Sequence, residues 1–172
     1  MTAGSSLLAR LDEAAAAVRA EGGLPPAVGL VLGSGLGGFA QGLADRRTIA
    51  YTRIPNFPSP SGVVGHAGEL VLGLVGKTPV VVLSGRVHFY EGRQMSEVAF
   101  PVRMLVRLGV KAVILTNAAG GIKKGLKPGD LMLLSDHINF FGTNPLLGHN
   151  AEELGPRFPD MSAVYDKTLR RI

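Results

Sequence analysis

The sequence predicts an α/β fold, with a central, largely parallel or mixed β-sheet flanked by helices. Three observations predict it. Short apolar runs, bounded by Gly and Pro, recur without the strict alternation of a half-solvated strand, so they read as strands buried on both faces. Longer segments before and between them carry apolar residues at helical spacing. The chemically versatile side chains fall just after the apolar runs, where open α/β sheets hold their ligands.

The elements follow in chain order. Leu7, Leu8, Leu11, Ala14, Ala15 and Val18 repeat at helical spacing, with Ser5 or Ser6 available as a cap. Gly22-Gly23 and Pro25-Pro26 end that helix. Val28 to Leu32 reads as a buried strand, and the Gly-rich stretch from Gly33 to Gly38 as the turn after it. Leu70 to Val75 and Pro79 to Ser84 read as two strands of a hairpin joined at Gly76-Lys77. Ser96 to Leu108 is helical in pattern, with Pro101 expected near its first turn and Gly109 as its stop. Ala112 to Thr116 reads as another buried strand, and Leu131 to Ser135 as a further one. A last helical pattern begins at Ser162 and is still running at Ile172.

Composition narrows the function classes. The 172 residues are 46% hydrophobic and 18% charged, a globular balance long enough to bury a core, and residues 1–172 read as a single domain. There is no Cys, which excludes disulfides, thiolate metal sites and a cysteine nucleophile. The formal net charge of +5 fits either a solvated basic surface or an anionic ligand. Nucleic acid is not expected, because no Lys/Arg run exceeds two residues and aromatics are only 6%. Arg10, Asp12, Glu13 and Arg19 interrupt the Ala-rich start, so it does not read as a secretory or mitochondrial leader. No apolar run approaches a membrane span. The expectation is a soluble, cytoplasmic protein that binds no membrane.

Four short segments carry chemistry. Gly33-Ser34-Gly35-Leu36-Gly37-Gly38 exposes backbone N–H groups and adds a hydroxyl donor, which suits a phosphate. The same loop satisfies G-x-G-x-x-G. However, no acidic residue lies between Asp45 and Glu69 to bind a ribose diol, and the Pro-rich stretch from Ile54 to Pro60 stands where a second strand would be. A phosphate or sugar site, a dinucleotide site and a plain tight turn all stay open on the loop alone. Gly85-Arg86-Val87-His88-Phe89-Tyr90-Glu91-Gly92-Arg93 offers a planar guanidinium fork, an imidazole, a ring with a polar tip and a carboxylate. A polar surface loop is the bland alternative. Asn117-Ala118-Ala119-Gly120-Gly121 pairs a carboxamide with small residues whose amides can face a ligand. His66 sits between glycines in Gly65-His66-Ala67-Gly68, where a turn role competes with a ligand role. Asp136-His137 has no third clustered partner, so no metal is assigned.

Taken together and in this order, these segments resemble the trimeric purine nucleoside phosphorylases, across essentially the whole chain from about Val28. Asp136-His137-Ile138-Asn139 and Arg157-Phe158-Pro159-Asp160-Met161-Ser162 extend the resemblance. It implies a nucleoside-phosphorylase-like fold. It also implies phosphorolysis of purine (2′-deoxy)ribonucleosides to the free base and (2′-deoxy)ribose 1-phosphate, with inorganic phosphate as co-substrate and no cofactor. By resemblance, Ser34, His66, Arg86, His88 and the Ala118 amide hold phosphate. Tyr90 contacts the ribose, and Glu91 orients the phosphate cluster. Asn117 lies where the phosphate and sugar sites meet. Phe158 covers the ribose of a neighbouring subunit in a homotrimer. His88, Glu91 and Asn117 form the catalytic set. The family's base-recognising Glu and Asn lie downstream of the Phe158 segment, so the chain reads as truncated at its C-terminal end and its base preference is not legible. Methylthioadenosine phosphorylase, which has a different phosphate loop, is the alternative within the enzyme class. A non-catalytic phosphate- or nucleoside-binding fragment is the alternative outside it.

Overall fold

The structure is a computed structural model, and it describes residues 6–59 and 68–171. They divide into two compact units, with the boundary between Ala118 and Ala119.

The first unit holds the sheet. Its elements are α1 (Leu7–Ala20), β1 (Val28–Leu32), α2 (Gly37–Gln41), β2 (Ala44–Ala50), β3 (Glu69–Val75), β4 (Thr78–Ser84), α3 (Met95–Leu108) and β5 (Ala112–Leu115). Single 3-10 turns follow β2 at Tyr51–Arg53 and precede α3 at Phe89–Glu91. The five strands are ordered β2-β3-β4-β1-β5. Central β1 is parallel to β4 on one side, from Val28 opposite Val80 to Leu32 opposite Ser84. It is parallel to β5 on the other, from Val28 opposite Ala112 to Val31 opposite Leu115. Strand β3 runs antiparallel to both β2 and β4, so the sheet is mixed. The hairpin between β3 and β4 turns at Gly76, whose φ of 59° a residue with a Cβ adopts only at a cost.

Residues two apart on a strand point to the same face, and here both faces are apolar. Val81 and Leu83 of β4, Leu70 and Leu72 of β3 and Val31 of β1 pack with Leu11, Ala14, Ala15 and Val18 of α1 and with Phe100, Met104, Leu105 and Leu108 of α3. Val80, Val82, Val71 and Leu32 face the other way, against Ala40 of α2 and Leu43. That is why the strands read as continuous apolar runs. Each fully buried Leu or Val contributes on the order of 1.5–3 kcal/mol.

The helices begin and end as local chemistry dictates. Ser6 caps α1 by accepting the Ala9 N–H at 3.2 Å. In α3 the Glu97 carboxylate accepts the Gln94 N–H at 2.9 Å, and Gly109 closes the helix in the left-handed region. Pro101 lies inside α3 and is buried, not in the first turn as the pattern suggested. A proline there removes one helix hydrogen bond.

Four further expectations change. The run from Ala112, expected as a buried strand, forms β5 at the edge of the sheet, with Ile114 50% and Leu115 63% exposed. Strand β2 carries the polar sequence ADRRTIA, with a register shift between Ala44 and Arg47, and only Ile49 is buried. As an edge strand it shows no apolar pattern to read. Residues 131–135, expected as a strand, pair with no segment among the described residues, and Leu131 is 92% exposed. An apolar run becomes a strand only through a ladder partner. The helix expected from Ser162 is replaced by turns, with a 3-10 turn only at Leu169–Arg171. There Asp160 accepts the Ser162 N–H, and Asp166 accepts the N–H groups of Thr168 and Leu169, each at 2.8 Å. Such side-chain bonds compete with helix formation.

The second unit, Ala119 onward, is organised by comparable local contacts. Arg157 donates to the carbonyls of Gly148 at 2.6 Å and Leu146 at 3.1 Å. The Tyr165 hydroxyl lies 3.1 Å from His137 Nδ1, with the two rings edge to face. No helix among the described residues is long and apolar enough to cross a membrane.

Candidate functional site

Because β4, β1 and β5 are parallel neighbours, their carboxyl ends share one sheet edge. The segments singled out from the sequence leave the sheet there. Gly33-Ser34 follows β1, Gly85-Arg86 follows β4, and Thr116-Asn117-Ala118 follows β5.

The β1 turn is tight. Leu36 N–H donates to the Gly33 carbonyl at 3.3 Å, and Gly35 takes a φ of 86°. A Gly suits this third position because a side chain there is strained. Ser34 is exposed at the crest of the turn. Gly33 is buried, and a Cβ on it would stand 2.9 Å from both Asn117 Cα and the Thr116 carbonyl oxygen. The ends of β1 and β5 therefore touch backbone to backbone.

Thr116 ties these ends together. Its hydroxyl donates to the Val31 carbonyl and accepts the Gly33 N–H, both at 2.8 Å. Its own carbonyl accepts Arg86 Nη1 at 2.7 Å. The guanidinium that follows β4 is thus brought to the end of β5, across β1. Asn117 donates from its carboxamide to the Ala118 carbonyl at 3.1 Å, and both residues are exposed.

The β4 loop is held from below and from within. Gly85, at φ 98°, is the point where the chain turns out of the strand. The Tyr51 hydroxyl donates to its carbonyl at 2.6 Å from a buried position. Burial pushes the Tyr51 phenol well above its ordinary range, and the nearby Glu69 charge adds to the shift, so the hydroxyl stays a donor. Beyond Gly85, the 3-10 turn folds Glu91 back onto His88. One carboxylate oxygen lies 2.5 Å from His88 Nδ1 and accepts the His88 backbone N–H at 3.0 Å. Both side chains are largely shielded, at 16% and 15% exposed. The Tyr90 ring stacks on the imidazole with centroids 4.7 Å apart and planes inclined at 18°.

The structure thus gathers Ser34, Arg86, His88, Tyr90, Glu91, Asn117 and Ala118 on segments that leave one sheet edge. Phe158 belongs to the second unit and is 88% exposed. His66 lies outside the described residues. Two contributors were not legible as such. Thr116 was visible only as the residue before Asn117, and Tyr51 only as an aromatic in a polar stretch. A β-branched hydroxyl residue ending a strand beside a Gly-rich turn is the signal that points to the first.

Chemically, a hydroxyl, a guanidinium, an imidazole and small-residue backbone clustered at strand ends can hold a tetrahedral anion. An exposed tyrosine ring and a carboxamide beside them offer a surface for a polyol.

The chain is similar to known proteins over most of its length. Residues 27–172 match the family model described as the phosphorylase superfamily. The chain is 51% identical over 163 residues to purine nucleoside phosphorylase 1 of Bacillus subtilis (strain 168), covering 95% of this chain and 60% of that protein. Among solved structures it is similar to isoform 2 of purine nucleoside phosphorylase from Schistosoma mansoni, in complex with cytosine and ribose-1-phosphate. The TM-score is 0.86 at 43% identity, over 95% of this chain and 58% of that one. A schistosoma purine nucleoside phosphorylase in complex with hypoxanthine gives a TM-score of 0.87 at 41% identity, over 98% and 60%. The chain spans about 60% of the length of these relatives. On its sequence match, and with a mixed five-stranded sheet in agreement, this chain belongs to the phosphorylase superfamily and is similar within it to the purine nucleoside phosphorylases.

Proposed function

We propose that this chain carries the phosphate and ribose sites of a purine nucleoside phosphorylase. The reaction is the phosphorolysis of purine (2′-deoxy)ribonucleosides to the free base and (2′-deoxy)ribose 1-phosphate. The observation that most directly supports it is the approach of Arg86 to Thr116 at 2.7 Å, beside the Gly33-Ser34 turn. Three strand ends then present donors around one place. The relatives in complex with ribose-1-phosphate and with hypoxanthine carry the products such a reaction would release.

In this reading Ser34, Arg86, His88, the Ala118 amide and His66 bind inorganic phosphate, the co-substrate. Glu91 fixes His88, Asn117 stands between phosphate and sugar, and Tyr90 meets the ribose. A phosphate oxygen bonds to the anomeric carbon as the bond from that carbon to the purine nitrogen breaks. The electron pair of the broken bond leaves with the base, which is completed by a proton from phosphate or solvent. The anion beneath the sugar stabilises the positive charge that develops on it, and fixed positioning supplies much of the remaining acceleration. No residue becomes covalently modified, and no metal or organic cofactor enters. Phe158 covers the ribose of a neighbouring subunit, which makes a cytoplasmic homotrimer the working form.

The test is phosphate-dependent cleavage of inosine. Release of hypoxanthine and ribose 1-phosphate that requires phosphate supports the reading. Cleavage by water alone overturns it, as would a marked preference for methylthioadenosine over inosine.

A further inference from the structure

We propose that Thr116 is a positioning residue for the anion site, acting through its side-chain hydroxyl. The inference rests on the phosphate reading above and goes beyond it, because Thr116 is not among the residues assigned to phosphate.

The hydroxyl both donates and accepts. It has one hydrogen to donate, which goes to the Val31 carbonyl, and it accepts the Gly33 N–H, both at 2.8 Å. The Thr116 N–H also donates to the Val31 carbonyl, at 3.1 Å. Threonine therefore grips β1 on both sides of Leu32, at the point where the strand becomes the Ser34 turn. The regular pairing of β1 with β5 ends one residue earlier, at Val31 opposite Leu115. The hydroxyl carries the connection past the end of the ladder and into the loop. On its other side the Thr116 carbonyl holds Arg86 at 2.7 Å. One residue thus fixes the Ser34 turn, the Arg86 guanidinium and the start of Asn117-Ala118 in a single frame.

Threonine suits the position for two reasons. Its stiff χ1 holds the hydroxyl in one orientation. Its half-buried setting makes an unmade bond at Gly33 costly. The close approach of Gly33 to Asn117 leaves the two strand ends no slack to re-form the link elsewhere.

The experiment measures the affinity for inorganic phosphate by calorimetry, and phosphate and inosine KM by turnover. Thr116→Val keeps the shape and removes the hydroxyl. It is expected to weaken phosphate binding about five- to tenfold, with inosine KM changing far less. Thr116→Ser restores the hydroxyl and is expected to return phosphate affinity to within about twofold of the parent. A general packing defect would lower the melting temperature without this selective loss and without rescue by serine. Gly33→Ala is the independent probe if Thr116→Val does not fold. Its Cβ pushes on the same β1–β5 contact, and it should weaken phosphate in the same way. Unchanged phosphate affinity in a folded Thr116→Val, or in Gly33→Ala if the valine variant does not fold, overturns the proposal. Arg86→Ala separates the two levels. If it loses phosphate while Thr116→Val keeps it, the positioning role fails and the phosphate reading stands. If the parent binds no phosphate, or Arg86→Ala binds it equally well, the phosphate reading fails and the positioning role falls with it.

Discussion

His88 Nδ1 stands 2.5 Å from a carboxylate oxygen of Glu91, and that same oxygen accepts the His88 backbone N–H. One oxygen therefore sets both the ring and the main chain of His88. The Nδ1 contact with Glu91 fixes the orientation of the imidazole. Glu91→Gln keeps the shape but loses the charge, and should raise phosphate KM a few-fold. Glu91→Ala removes both contacts and should raise it by about tenfold or more, since hydrogen bonds to charged groups contribute roughly 1.5–3 kcal/mol. Initial rates at saturating inosine over a phosphate titration read the difference.

Arg86 should dominate phosphate affinity. Replacing a charge-assisted, bidentate contact typically costs ~2–3 kcal/mol, so Arg86→Ala should raise phosphate KM roughly 30- to 150-fold and leave inosine KM much less changed. Arg86→Lys should recover only part, because an ammonium cannot present the guanidinium fork or reach the Thr116 carbonyl in the same geometry. An Arg86→Ala enzyme with unaltered phosphate dependence removes Arg86 from the site.

Tyr51 gives a stability signature at high pH. Its hydroxyl is buried against the Gly85 carbonyl, and burial holds the phenol protonated above its ordinary value of 10.0. Below that value both folded and unfolded chains keep the proton, and the stabilisation is fully present. Above it the unfolded chain releases the proton while the folded chain retains it. Stability then falls with rising pH, by about 1.4 kcal/mol per unit for one group. Tyr51→Phe should lose ~1 kcal/mol near neutrality from the missing hydrogen bond. It should also show a shallower decline above pH 10 in urea titrations. Parallel curves for the two proteins would contradict the assignment.

Phe158 tests the assembly. It is exposed within its own unit, between Arg157 and Pro159. If it covers a neighbour's sugar, Phe158→Ala should raise inosine KM and leave fold and phosphate affinity nearly intact. Light scattering on the parent should then give a trimer, and a fully active monomer refutes the role.

The legible part of the fold was the part whose pattern is local. Strands β1, β3, β4 and β5 and helices α1 and α3 announce themselves by apolar spacing and Gly punctuation, and Ser34, Arg86, His88 and Asn117 come soon after those strands. Strand β2 escapes notice because a polar edge strand with one buried side chain, Ile49, carries no period. The run at 131–135 misleads because hydrophobicity does not specify a ladder partner. The role of Thr116 depends on Val31, 85 residues away in the chain, and only the sheet order brings them together. Its identity was visible, but its neighbours were not.

The same sheet order governs how the molecule is made. The β3–β4 hairpin joins through a two-residue turn and closes almost without loop entropy. Strand β1 has no partner close to it in the chain. Val28 must wait for Val80 on one side and Ala112 on the other. Non-local pairing of this kind is slow. The edge where β4, β1 and β5 end is therefore expected to be completed last, and phosphate bound there as proposed would act on the folding reaction after its rate-limiting step. Added phosphate should slow unfolding while leaving the refolding rate unchanged. In pulse-labelling hydrogen exchange, amides of Leu70 to Leu83 should gain protection before those of Leu30 to Leu32.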